Sequence, residues 1–318
     1  MKKFLLSLFV ALIAISSVQA QQISVVSPGG ATTLHRTFQQ AIEGADPGSI
    51  IYLPGGGFNL PDNVKITKKL TIIGIGHYVK GGNVDGVTTI SGNLWFNEGS
   101  SGSAVMGCYI TGDVNIGDGG ASVNDILIRY CNLNCVRVKN STCLETRINQ
   151  NYLRSISWFS GANAIVTNNI IHSIYDLDNG KIANNILAAV TYQIVGTIWG
   201  TTTLHGCDQT QIINNIVLPS GFLHACYNCE VSGNLASDGT TKWDDYFVNY
   251  NKGAISPASD FHFNTANKQY ENQVGIYAGT GFNDQQMAPV PFIVAKHVDE
   301  QTDSSGKLNV KIRVKANQ

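Results

Sequence analysis

Two phrases nineteen residues apart, Leu204-His205-Gly206-Cys207 and Leu223-His224-Ala225-Cys226, put imidazole and thiol groups at matching positions, with Cys229 three residues further on. If that interval is one structural repeat, His205 stacks near His224 and Cys207 near Cys226. Such a set could hold Zn²⁺ or copper. A metal site needs the His and Cys of each phrase on one face, which strand alternation supplies only if no turn intervenes; duplicated core packing is the competing reading. In the same phase lie Ser141, Trp158 and Tyr175. If the column Trp158, Tyr175, His205, His224 is exposed, it is a lengthwise platform for stacking sugar rings; if it points inward, it is a core ladder. Tyr192 and Trp199, in a loop of about a dozen extra residues that a stretched repeat places beside it, are candidates to cover a ligand.

Other chemistry is sparser. The chain has no G-x-S-x-G elbow, no H-E-x-x-H, no phosphate-cradling Lys-Ser/Thr loop, and Gly74-Ile75-Gly76-His77-Tyr78-Val79 lacks the third glycine of a dinucleotide loop. The close acid pairs Asp244-Asp245 and Asp176/Asp178 read as surface turns rather than as the paired carboxylates of a glycosidase. Cysteines number seven (Cys108, Cys131, Cys135, Cys143, Cys207, Cys226, Cys229), and an odd count leaves at least one thiol or an intermolecular bridge.

The elements that must position these residues come from a repeat. A β-branched residue, two others, Asn or Cys, one other and an aliphatic or small residue recur at Val105/Cys108/Ile110, Ile128/Cys131/Leu133, Ile148/Asn151/Leu153, Ile165/Asn168/Ile170, Ile182/Asn185/Leu187, Ile212/Asn215/Val217 and Val231/Asn234/Ala236, at intervals of 23, 20, 17, 17, 30 and 19 residues. Seven occurrences near one period predict a solenoid, and β-branched runs separated by Gly/Asn-rich turns make each repeat one coil of a parallel β-helix. Asn151, Asn168, Asn185, Asn215 and Asn234 are then a structural ladder, hydrogen-bonding along coils spaced about 4.8 Å apart. Cys108 and Cys131 share that position; they either bridge or stack as buried thiols. With the β-branched residues inward, the outward triplets are Asp125/Leu127/Arg129, Glu145/Arg147/Asn149, Ala162/Ala164/Val166, Asn179/Lys181/Ala183, Gln209/Gln211/Ile213 and Asn228/Glu230/Ser232. A charged patch is expected around Asp125, Arg129, Glu145 and Arg147, read first as the exposed ion pairs Asp125–Arg129 and Glu145–Arg147.

Upstream, Thr37-Phe38-Gln39-Gln40 has the spacing of a helix capping box, Phe38, Ala41 and Ile42 share a helical face, and Gly44 to Gly48 ends the helix. Strand-like runs follow at Ile50 to Pro54, Val64 to Ile66 and Leu70 to Gly74. The run Thr37 to Ile42, then Asp46-Pro47-Gly48-Ser49-Ile50-Ile51-Tyr52-Leu53-Pro54-Gly55-Gly56, then Leu70-Thr71-Ile72-Ile73-Gly74 resembles the N-terminal cap and first coil of the pectate-lyase-like right-handed parallel β-helix superfamily. The resemblance spans roughly Ser24 to Ser237. It implies an all-β, single-stranded right-handed parallel β-helix with a short N-terminal cap helix and a C-terminal cap segment. For function it implies less, since that superfamily includes lyases, hydrolases, esterases, tailspikes and adhesins. Its lyases hold Ca²⁺ on acids of such a face and use an Arg or Lys to remove the proton beside a uronate carboxylate. That implies Asp125 and Glu145 as the metal-binding acids and Arg147 or Lys181 as the base.

Residues Met1 to Ala20 read as a secretory signal peptide: Lys2-Lys3, an apolar run Phe4 to Ile15 too short to span a bilayer, then small residues before a cleavage point. Residues 21–237 are expected to be the β-helix with its cap, and 238–318 a C-terminal cap with one final strand at Leu308 to Lys315. The expected protein is exported, whether extracellular, periplasmic or on the cell surface, and is not inserted in a membrane. Of the 21 Lys and Arg, 19 remain without Lys2 and Lys3, against 22 Asp and Glu, so no global field draws nucleic acid. The leading expectation is non-catalytic binding of a polysaccharide or cell-surface glycan, with no cofactor. A polysaccharide lyase using Ca²⁺ and a purely structural or adhesive protein are the alternatives.

Overall fold

Ile128, Ile148, Val166, Ile182 and Ile212 are fully buried and pair in succession along one parallel ladder, which Val105 precedes and Val231 ends. Each coil contributes one rung, because a β-branched side chain at every inward position fills the tube while the pleat sends its neighbours outward. The computed structural model describes residues 22–62, 64–78, 86–157, 163–188, 192–194, 197–199, 202–250, 255–283, 291–299, 301–302 and 305–316. They form a parallel β-solenoid of about eight turns. The expected signal segment, Met1 to Ala20, and Trp158 lie outside the described residues.

Three faces enclose the core. The first carries strands such as Leu127–Arg129, Arg147–Asn149, Ile165–Thr167, Lys181–Ala183 and Gln211–Ile213. The second and third are continuous where Asn132–Val138, Tyr152–Ser157 and Ile170–Tyr175 bend from one to the other, and separate where Ile186–Leu187 is followed by Thr202–His205 and Ile216–Val217 by Gly221–His224. The 30-residue interval accommodates an antiparallel hairpin, Tyr192–Ile194 with Thr197–Trp199, between two faces of one coil. Left-handed residues stack at the corner before the first face: Asp125, Glu145, Asn179, Gln209 and Asn228 all have φ between 50° and 60°. Asn and Asp tolerate that conformation because their short side chains bond locally to the backbone.

Inside the corner after the first face runs the asparagine ladder. The amide oxygen of Asn151 accepts from the Cys131 N–H at 2.9 Å, that of Asn169 from Asn151 N–H at 2.8 Å, that of Asn185 from Asn169 N–H at 2.9 Å, that of Asn215 from Asn185 N–H at 2.9 Å, and that of Asn234 from Asn215 N–H at 2.8 Å. Each Nδ2 donates back to the carbonyl two residues before it and to the preceding coil. Cys108 and Cys131 head the column as buried free thiols, with Cys131 Sγ 3.3 Å from the Arg129 carbonyl oxygen. They are not bridged.

One coil departs from the expected register. Val166, Asn169 and Ile171 point inward, not Ile165, Asn168 and Ile170: Val166 pairs with Ile148 and Ile182, and Ile165 is 42% exposed. The outward residues are therefore Asn163, Ile165 and Thr167; of the apolar rung expected there, Ala164 and Val166 point inward and Ala162 lies outside the described residues. Asn168 sits instead at the corner, where its Nδ2 donates to the carbonyls of Ile276 at 2.9 Å and Ala278 at 2.6 Å. It anchors the C-terminal segment.

At the N-terminal end, Phe38–Gly44 is helical, capped by Thr37, whose hydroxyl accepts from Gln40 N–H, and Phe38, Ala41 and Ile42 join the core. Ile23–Val26 pairs antiparallel with Ser49–Leu53 and closes that end. Val64 to Ile66 is not a strand; only Ile66 makes an isolated bridge, to Phe96.

Residues from Trp243 to Phe282 that are described pack along the side of the solenoid. Ile170, Ile186 and Ile216 form an outward stripe on the second face, and Trp243, Phe247, Phe261, Phe263, Val274 and Ile276 bury it. Trp243 Nε1 donates to the Leu218 carbonyl at 2.8 Å. The expected final strand pairs with Pro291–Val298, so a hairpin rather than a single strand ends the chain. The last coil is open: Val231 is 43% and Leu223 39% exposed, whereas their counterparts Ile212 and Leu204 are fully buried.

Candidate functional site

The third face carries the ring column outward. In register along it stand Trp95, Asn115, Arg137 and Ser157, then Tyr175, His205 and His224. Leu204 and Leu223, the residues before the two histidines, align with Ile174 on the inward row, so alternation sends Tyr175 and both imidazoles to solvent. Tyr175 is half-buried and His205 and His224 are exposed. The two imidazoles are stacked with centroids 4.8 Å apart and planes 20° from parallel; Tyr175 follows at 6.1 Å, tilted 46°. That spacing is the coil spacing itself, so stacking follows directly from repeating a ring at one position.

The column differs in part from expectation. The rung level with Tyr175 and Arg137 is Ser157 rather than Trp158, and Ser141 lies in a turn off the face. Beyond Ser157 the surface becomes polar: Arg137 Nε donates to Asp113 Oδ2 at 2.7 Å, and Asn134 Nδ2 to Asp113 Oδ1 at 2.7 Å. Lys65 Nζ lies 5.7 Å from the Trp95 ring centroid at the far end. These coils were missed because the strand phrase there, Leu94–Phe96 and Val114–Ile116, follows a different loop length and shares no motif with the histidine repeat. Tyr192 and Trp199 are cross-strand Cα partners in the hairpin inserted between Ala188 and this face.

A turn does intervene between each His and its Cys. Gly206 and Ala225 are left-handed, with φ of 65° and 51°. His205 consequently faces solvent while Cys207 is fully buried, which rules out a shared His–Cys metal site. Among the described residues no three His, Cys, Asp or Glu side chains are grouped to hold a metal ion.

The charged patch on the first face is an open hollow of about 570 Å³ lined by Asp125, Glu145, Arg147, Asn163 and Ile165. Arg147 is ion-paired with Asp125, both about half exposed. Arg129 leaves the patch, its guanidinium 4.5 Å over the Tyr130 ring. Lys181 is on the same outward row as Arg147 but two strands away, with Ile165 between them, and does not line the hollow. Of the residues considered for a lyase, Asp125, Glu145 and Arg147 are brought together and Lys181 is not. Asp176 is a left-handed corner and Asp178 accepts from Asp208 N–H at 3.0 Å, a corner bond between coils.

Comparison with protein-family models, with curated proteins and with solved structures finds no match to this chain. The geometry alone therefore carries the functional reading. No helix among the described residues is long and apolar enough to cross a membrane.

Proposed function

We propose that this is an exported member of the pectate-lyase-like β-helix group that binds a glycan without cleaving it, along the third face of the solenoid. The observation that carries the reading is the outward column of half-buried Tyr175 and the exposed, stacked His205 and His224. With their faces stacked on one another along the axis, the two imidazoles turn their edges outward, where the ring nitrogens exchange hydrogen bonds with sugar hydroxyls. Rigid coils hold the rings before the ligand arrives, so little ordering cost falls on binding. The partly exposed Arg137 and Asp113 pair continues that surface beyond the buried Ser157 and offers polar partners to a chain running along the axis.

Retention of the full chain on immobilised polysaccharides tests this. Replacing both His205 and His224 by alanine is expected to weaken retention by roughly tenfold or more, as for the loss of two hydrogen bonds of about 0.5–1.5 kcal/mol each. Arg147→Ala should leave retention unchanged. Undiminished retention in a folded H205A/H224A protein would remove the column from the account.

A polysaccharide lyase is the second reading, favoured by the hollow in which two carboxylates meet a guanidinium. Its weakness is that Arg147 is held by Asp125, so the candidate base is already engaged by an acid the calcium would require.

A further inference from the structure

At the open last coil three thiols converge that the binding face does not use. Cys207 and Cys226 occupy equivalent positions in adjacent coils, in register with the His205 and His224 pair. The Cys207 N–H donates to Cys226 Sγ at 3.4 Å, and Cys229 Sγ lies 2.8 Å from the Cys207 carbonyl oxygen. Adjacent rungs are separated by about 4.8 Å, inside the Cα range of about 4.4 to 6.8 Å that a disulfide needs. Cys207 is buried, whereas Cys226 and Cys229 are partly exposed because no further coil covers them. Cys143 has a comparable setting, accepting from Val123 N–H at 3.4 Å, but its partner position in the neighbouring coil is Val123 rather than a thiol.

We propose that Cys226 and Cys207 are a thiol–disulfide exchange couple that fastens the last coil of the solenoid to the coil before it. Cys226 is the attacking group. The Cys207 S–H donating to it lowers its pKa to about 7, although burial works the other way, while the Cys207 thiol is raised far above the ordinary range. The oxidant is a low-molecular-weight disulfide. Cys226, having lost its proton, attacks one sulfur of that disulfide; a mixed disulfide forms and the first small thiolate leaves, taking up that proton. Cys207 then loses its proton and attacks Cys226 Sγ; the Cys207–Cys226 bond forms, the mixed disulfide breaks, and the second small thiolate leaves and is protonated. Two protein thiols are oxidised and one small disulfide is reduced to two thiols. The expected export would place the couple where such oxidants persist. The bond closes one coil and holds the strand bearing His224 against that bearing His205, but its chemistry is independent of whether the column binds glycan.

The full chain, reduced and freed of reductant under native conditions, is incubated with glutathione disulfide, its remaining thiols are blocked, and intact and peptide masses are measured. The expected product has lost two hydrogens and carries one cross-link, between the peptides of Cys207 and Cys226. Cys226→Ser abolishes the cross-link and Cys229→Ser retains it. In the reduced protein one thiol should alkylate a few-fold faster at pH 7 than an ordinary cysteine, and that fast phase should vanish in Cys226→Ser. The melting temperature should rise on oxidation by on the order of 5 °C, as for closure of a loop of one coil. A stable glutathione adduct, a bridge to Cys229, or no oxidation while the protein remains folded would each overturn the proposal.

Discussion

Replacing Asn185 by alanine is expected to destabilise the protein by about 3–5 kcal/mol, as much as emptying a large core position. Asn185 is fully buried, and its side chain is within hydrogen-bond distance of five groups. Its oxygen accepts from the N–H and the Nδ2 of Asn169; the two hydrogens of its Nδ2 are shared among the carbonyls of Val166 and Ala183 and the oxygen of Asn215. Truncation leaves the buried Asn169 N–H with no acceptor where water cannot reach, and an unmet buried donor costs more than the bond itself is worth. Asn234 makes the same pattern at the open end, where solvent can substitute, so Asn234→Ala should cost only about 1 kcal/mol. Urea denaturation of both variants measures the contrast. Equal costs would mean that the ladder is not the polar spine of the fold.

Acidification should weaken the fold well before the carboxylates titrate. His77 is only 6% exposed, neither ring nitrogen has a side-chain partner among the described residues, and burial, partly offset by a hydrogen bond with its own backbone, lowers its pKa to about 3. The unfolded chain takes up a proton at this residue below pH of about 6.5, the folded protein only near 3. The unfolded state therefore binds more protons throughout that window, and stability falls as the pH drops through it. At 1.36 kcal/mol per pH unit, the loss is about 2 kcal/mol by pH 5 and on the order of 4–5 kcal/mol by pH 3. His172, lowered by burial and then by Arg154, acts in the same direction. Denaturation at pH 7.5 and pH 5 reads the effect. His77→Leu should remove most of it, whereas an undiminished loss in that variant would assign it to other groups.

The fold was legible because one residue position repeats under a strong constraint. A buried amide at each coil must find partners in the next, so only Asn, or Cys at the head of the column, fits, and the spacing of Asn151, Asn185, Asn215 and Asn234 follows. The slip occurred where the chain reads Ile165-Val166-Thr167-Asn168-Asn169-Ile170-Ile171. Every element of the phrase is doubled there, so two registers fit equally, and packing decides: Val166 and Asn169 are buried in line, while Asn168 is captured by the C-terminal segment. Strand pairing moves every side chain to the other face when register shifts by one, which is why an apolar rung was expected where Asn163, Ile165 and Thr167 stand.

The site was legible where it shared the repeat. The interval placed His205 and His224 together but left open whether they face the core or solvent; the register of Leu204 and Leu223 with the inward Ile174 turns them outward. Whether a ring column is core or surface depends on the corner that follows it, and the left-handed Gly206 and Ala225 turns separate the histidines from the cysteines. Arg137 and Asp113 belong to coils with different loop lengths, so their place on the same face needed three-dimensional register. The lateral position of the C-terminal segment follows from the outward stripe of Ile170, Ile186 and Ile216, a pattern hidden by its alternation with the inward Ile171, Leu187 and Val217.

Chromatographic sizing of neutral and acidic polysaccharides after incubation with the protein, with and without Ca²⁺, tests the central claim most directly. A polymer of unchanged length that carries the protein with it is the predicted result. Shortened chains would contradict non-catalytic binding and move attention to Arg147 in the charged hollow, and unchanged polymers eluting free of protein would contradict glycan binding itself.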